Sequence, residues 1–180
     1  MKMNLEIKTD RLELRPPSIQ NTLELHKLMK NSVDTTFLSW DPHSSLNETD
    51  TLLDSLINSI KLDNSYHWVI FYNAKIVGFI SLIDVKRVLR TWTINRAELS
   101  YWISNDFIGN GFATEAAFSV VDFGFNSLLL NKIIIAHAKE NIQSQKICEK
   151  LNFIKYAYES YAFKKNQKWH DLIWYERLKT

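Results

Sequence analysis

Gly109-Asn110-Gly111, standing just ahead of a long apolar stripe, is the spacing in this chain that most directly suggests chemistry. Two glycines one residue apart force a compact loop, because they enter the left-handed region that other residues avoid. The residues that follow, Ala113, Ala116, Ala117, Val120, Val121 and Gly124, recur at helical spacing and give one stripe of small side chains suited to close packing on a sheet. A glycine loop feeding a helix start aims several backbone N–H groups at one point beside the positive end of the helix dipole, which suits phosphate. The spacing predicts an anion cradle over residues 108–114.

Three kinds of loop share this outline. A nucleotide-triphosphate loop needs Gly-Lys-Ser/Thr, and that tripeptide does not follow here. A dinucleotide fingerprint needs a third Gly or Ala at position 114 and an acid about twenty residues on. Position 114 is Thr, and Glu140 is too far along. The stretch Tyr-Trp-Ile-Ser-Asn-Asp-Phe-Ile-Gly-Asn-Gly-Phe-Ala-Thr-Glu-Ala resembles the coenzyme A pyrophosphate loop of the GNAT N-acetyltransferases, in the RimJ/RimL branch that acetylates ribosomal-protein N-termini. That family's pattern is Gln/Arg-x-x-Gly-x-Gly/Ala, met here by Gly111 and Ala113. Ile108 stands where Gln or Arg is usual. The opening Thr9-Asp-Arg-Leu-Glu-Leu-Arg is similar to the start of many members.

The resemblance implies an acetyl-CoA-dependent N-acetyltransferase that needs no metal. Its cofactor-binding set is Trp102, Ile103, Ile108, Gly109, Asn110, Gly111, Phe112, Ala113 and Thr114, with Asn141 and Ser144 at the Asn-x-x-Ser that starts the next helix. It further implies that Glu98 takes a proton from the acceptor amine, directly or through water, or binds it as a cation. A plain strand carboxylate is the alternative. Asn141 would contact the pantetheine arm or a water, and Ser144 would donate a hydrogen bond to the sulfur; alternatively both only start and pack a helix. Trp40, in the Phe37–Pro42 loop, borders the acceptor pocket or plugs the core edge.

Acetyl transfer from a thioester to an amine needs a neutral amine, donors for the carbonyl oxygen, a proton source for the thiolate and exclusion of water. No covalent enzyme intermediate is required. The implied acceptor is a ribosomal-protein N-terminus. A small amine such as a polyamine is the second reading, and a non-catalytic acyl-CoA-binding module the third. The five histidines (26, 43, 67, 137 and 170) show no metal-ligand spacing.

The elements that must position these residues follow from the chain in order. A strand over Thr9–Pro17 at a sheet edge precedes a helix capped by Ser18, and a second helix is capped by Asn47. A hairpin joins Tyr66–Tyr72 to Ile76–Ile83 through Asn73-Ala-Lys75. Val85–Thr93 reads as a polar, exposed link into the strand Arg96–Ile103. The long helix follows, then the continuous apolar run Lys132–Ala138, a strand buried on both faces. A short helix to Asn152 and strands near 154–163 and 168–178, joined through Lys165-Asn-Gln167, close the chain, with Lys164, Lys165 and Lys168 read as a solvated loop. This order matches one α/β GNAT domain over residues 1–180: a mostly antiparallel twisted sheet of about seven strands, splayed at its middle, with about four helices.

A net charge of +2 on 180 residues gives no basic field for nucleic acid. The single cysteine, Cys148, excludes an internal disulfide and reads as core. No apolar run approaches membrane-spanning length, and no secretory core follows Met1. The sequence therefore predicts a cytoplasmic monomer or homodimer.

Overall fold

The computed structural model describes residues 3–32 and 35–179. Its elements run β1 (Ile7–Lys8), β2 (Leu12–Arg15), α1 (Thr22–Lys30), α2 (Leu46–Lys61), β3 (Tyr66–Tyr72), β4 (Lys75–Leu89), β5 (Trp92–Ile103), α3 (Phe112–Asn126), β6 (Lys132–Ala138), α4 (Ile142–Lys150), β7 (Ile154–Lys165) and β8 (Lys168–Leu178). Short 3₁₀ turns precede α1 at Ile19–Asn21 and α3 at Asn105–Phe107. The strands form one sheet in the order β1-β2-β3-β4-β5-β6-β8-β7. It has eight strands where the sequence predicted about seven; the addition is β1, two residues long and too short to carry an alternating pattern.

Every neighbouring pair is antiparallel except β5 and β6. Those two run parallel, as the α3 crossover between them requires. Their pairing covers only Arg96–Glu98 against Lys132–Ile134. Beyond it, Leu99–Ile103 and Ile135–Ala138 diverge, so the sheet opens as a wedge at its centre.

Strand alternation sorts the side chains onto two faces. Trp68, Ile80, Leu82, Ala97, Leu99 and Ile133 join Ala116, Ala117, Val120 and Val121 of α3 in the main core. The small-residue stripe is needed there: a Cβ on Gly124 would lie 2.8 Å from Ile133 Cδ1. On the other face, α1 and α2 cover Val69, Phe71 and Ile76 with Leu25 and Leu53. Cys148 is fully buried, as predicted.

Three local expectations are corrected. Ser45, not Asn47, caps α2, its hydroxyl accepting from the Glu48 N–H at 3.3 Å. Val85–Thr93 is not a link: β4 runs to Leu89 and β5 starts at Trp92, so this stretch is a projecting hairpin. Lys165 is not a solvated loop residue. Its side chain is 13% exposed and pairs with Asp41 at 2.5 Å.

Candidate active site

Alternation along β5 decides what the wedge presents. Ala97, Leu99 and Ile103 face the α3 core, so Glu98, Ser100 and Trp102 face the α1/α2 side. There they line a cavity of about 530 Å³ whose walls include Leu25 and Met29 of α1, Leu53 and Leu56 of α2, and the Phe37–Trp40 loop. Because β5 and β6 have parted here, the cavity continues between them to Tyr101, His137, Asn141 and Ser144. The fold thus brings Trp40, Glu98, Trp102, Asn141 and Ser144 together from three separate stretches of chain.

Glu98 is the one acid among the described residues lining this cavity. Burial raises its pKa, the nearby Asp84 adds to the rise, and Arg96 opposes both. A carboxylate held so is a stronger base than usual and gains from a cationic neighbour. Trp40 and Trp102 meet edge to face, with ring centroids 5.3 Å apart, and form an aromatic wall. Lys165 fixes the Trp40 segment from β7 by donating to the Trp40 carbonyl at 3.0 Å.

Asn141 is the N-cap of α4, its Oδ1 accepting from the Ser144 N–H at 3.1 Å. Ser144 is 8% exposed, and its hydroxyl lies 2.7 Å from the Tyr101 hydroxyl. Burial raises the Tyr101 pKa, the Ser144 bond partly opposes this, and Cys148 adds to it. The phenol stays protonated at neutral pH and can donate to Ser144, which leaves the serine hydrogen for a group in the cavity.

The glycine loop lies outside the cavity lining, where β5 runs through a 3₁₀ turn into α3. Gly109 and Gly111 have φ of 86° and 80°, both left-handed, and Gly111 is the N-cap of α3. Ile108, Gly109, Asn110 and Gly111 are exposed, Ala113 and Thr114 half-buried, Phe112 buried. The α3 N-terminus therefore opens to solvent beside the wedge. Ile103 does not join the cavity: it is 9% exposed, pairs with Gly78 and packs in the main core.

The sequence did not reveal Tyr101, Lys165 or Arg11, which contacts the loop through Asn110 and Glu115. The signal for Tyr101 was available in part, since a polar ring next to Trp102 on a strand must face opposite to it. His67 lines the cavity between Ser81 at 2.7 Å and Ser59 at 2.9 Å, and burial lowers its pKa to about 4. His137, buried at the cavity's far wall, bonds the Ala138 carbonyl through Nδ1 at 2.8 Å. Among the described residues, no group of three or more His, Cys, Asp or Glu could hold a metal, and no helix is long and apolar enough to cross a membrane.

Residues 11–154 match the model of the acetyltransferase (GNAT) domain, which is most of the chain. The chain belongs to the GNAT acetyltransferase family. It is an N-acetyltransferase that draws its acetyl group from acetyl-CoA and passes it to an amine. Among GNAT relatives, a putative ribosomal N-acetyltransferase of Bacillus subtilis (strain 168), YdaF, is 27% identical over 161 residues, 89% of this chain and 81% of that protein. Spermidine N(1)-acetyltransferase of Escherichia coli (strain K12) is 28% identical over 142 residues, 79% of this chain and 72% of that one. Of the solved structures, the RimL ribosomal L7/L12 alpha-N-protein acetyltransferase in complex with coenzyme A superposes with a TM-score of 0.88. It is 21% identical and covers 94% of this chain and 95% of its own.

Proposed function

We propose that this GNAT enzyme acetylates the α-amine of a protein N-terminus. The observation that carries the reading is the charge of the cavity: about 530 Å³ of mostly apolar and aromatic wall with Glu98 as the one acid among its described lining residues. An acceptor with a single cationic amine, followed by neutral chain, suits that lining. A polyamine brings further cations that would lie unpaired against apolar wall.

In this reading Glu98 receives the ammonium and then its proton, directly or through water. An α-amino group titrates near 8, and burial, by raising the Glu98 carboxyl pKa, narrows the gap across which that proton moves. The neutral amine attacks the thioester carbonyl; the C–N bond forms, the C–S bond breaks, and the nitrogen gives up its second proton, which the thiolate leaving toward Ser144 takes up to become the thiol. The Ser144 hydroxyl, accepting from Tyr101, donates to that sulfur. Coenzyme A enters along the wedge, with its pyrophosphate on amides of residues 108–114 and its arm past Asn141. Trp40 and Trp102 hold the first residue of the acceptor.

One observation favours a polyamine as a second reading. Glu98 also borders a smaller cleft where Asp84, Glu159, Tyr156, Tyr158 and Trp174 surround one cation, Arg96, so that acids outnumber it and aromatic rings flank room for a second cation. The relation to spermidine N(1)-acetyltransferases is in keeping with it. The test is acetyl-CoA turnover with peptides of varied N-termini, the same peptides with the α-amine blocked but lysines present, and spermidine. The protein N-terminus reading expects turnover only with free α-amines and strong dependence on the first two or three residues. Efficient acetylation of spermidine with failure of every free-amine peptide would replace it with the second.

A further inference from the structure

Arg11 sits just before β2, about a hundred residues from the glycine loop in sequence, yet its side chain closes on that loop. Its Nε donates to Glu115 Oε2 at 2.7 Å, and its Nη2 lies 2.6 Å from the same oxygen. Nη1 donates to the Asn110 carbonyl at 3.1 Å, and the guanidinium lies over the Phe112 ring, 4.9 Å from its centroid. Glu115 is held in turn by the Thr9 hydroxyl and the Arg11 N–H, at 2.5 and 3.0 Å. Burial works against ionisation of Glu115, but these hydrogen bonds outweigh it and keep its carboxyl below the usual range.

We propose that Arg11 is a positioning residue for acetyl-CoA, acting by orienting the amides of the 108–114 loop. The peptide unit is planar and trans, so the carbonyl of Asn110 and the N–H of Gly111 point in opposite directions. Holding the carbonyl on Arg11 fixes where the Gly111 N–H points. That bond has glycine on its far side and Gly109 just before it, both left-handed, so nothing local prevents the peptide from turning. A carbonyl turned toward the pyrophosphate would repel it. Glu115 poses a second problem: an acid in the first turn favours the helix but opposes an anion at the same end. The Arg11 fork neutralises it and leaves further N–H groups on a half-exposed guanidinium.

The inference rests on the reading that this loop holds the pyrophosphate, and Gly111→Asp separates the two. Coenzyme A affinity would be measured by calorimetry. Pantetheine, which has the arm without pyrophosphate or nucleotide, would be titrated by NMR shifts. Arg11→Ala removes charge-assisted bonds and should weaken coenzyme A by about 10- to 100-fold while changing pantetheine affinity little. Arg11→Lys keeps the charge but cannot bridge Asn110 and Glu115 as a fork, so it should recover thermal stability but not affinity. Equal loss for both ligands in Arg11→Ala, or full recovery of affinity in Arg11→Lys, would overturn the role of the fork. Unchanged coenzyme A affinity in Arg11→Ala with loss in Gly111→Asp would remove Arg11 and keep the loop. Unchanged affinity in folded forms of both would remove the loop assignment and the proposal with it.

Discussion

Glu98 and Ser144 would act at opposite ends of one bond exchange, and their surroundings differ accordingly. Glu98 is desolvated, so its neutral form is favoured in the folded chain. A raised carboxyl pKa adds stability that is complete below the unfolded value, near 4.3, and is lost as pH rises through the folded value. Glu98→Gln mimics the protonated form. It should therefore melt higher than the parent at neutral pH, and the gap should close on acidification below about 4. The same variant should lose the activity that depends on an ionised carboxylate. Melting and rate profiles against pH check both, and a variant with full activity refutes the role. Ser144→Ala should lower turnover by about 10²-fold, the usual scale for one donor aimed at developing charge, with coenzyme A affinity nearly kept. A turnover within a few-fold of the parent would leave positioning as the whole of the mechanism. His67 gives a separate signal. Its pKa, lowered by burial to about 4, makes its stabilising effect complete above 6.5 and lost as pH falls toward 4. His67→Gln should flatten that part of the stability curve, and an unchanged curve would mean the imidazole titrates as in the unfolded chain.

Elements differ in how far their sequences announce them. The α3 stripe and the glycine loop were legible because each demands particular residues: small ones where Gly124 meets Ile133, and left-handed backbone at 109 and 111. The β4–β5 arm was not. Val88, Leu89 and Trp92 are exposed at its tip and Lys86 and Arg87 flank them; only Val85 at its base packs on the main core, too little to give the apolar alternation that marks a strand. The site divides in the same way. Glu98, Asn141 and Ser144 stand in local patterns. Tyr101 on Ser144, Arg11 on the loop and Lys165 on Trp40 join positions 43 to 125 residues apart, which only the folded sheet brings together. The last contact has a consequence for β7. If Lys165 holds the Trp40 segment in place, Lys165→Ala should raise the KM for the acceptor about five- to tenfold, the value of one or two lost hydrogen bonds. Coenzyme A affinity should not change. Equal loss of affinity for both substrates would show a general loosening of the fold instead.

The whole molecule is a sheet whose two parts meet at its centre through one short parallel pairing, Arg96–Glu98 against Lys132–Ile134. On one side β1 to β5 carry α1, α2 and the Trp40–Glu98 wall of the cavity; on the other β6, β8 and β7 carry α4 and Ser144. Past Glu98 the facing edges of β5 and β6 have no strand partner, so half of their backbone groups point into the wedge. A pantetheine arm lying there would give those groups a partner and tie the two parts together. Binding to the folded state alone adds RT ln(1 + [L]/Kd), about 2.7 kcal/mol at a hundredfold excess over Kd. The gain should appear unevenly. Amides of Leu99–Ile103 and Ile135–Ala138 should slow in hydrogen exchange when coenzyme A is added, together with those of the 108–114 loop. Amides of β2 and β3 should change only by the global increment. Exchange that slows uniformly through the sheet, or slows at the β7 edge while the wedge stays as it was, would place the ligand somewhere other than between β5 and β6.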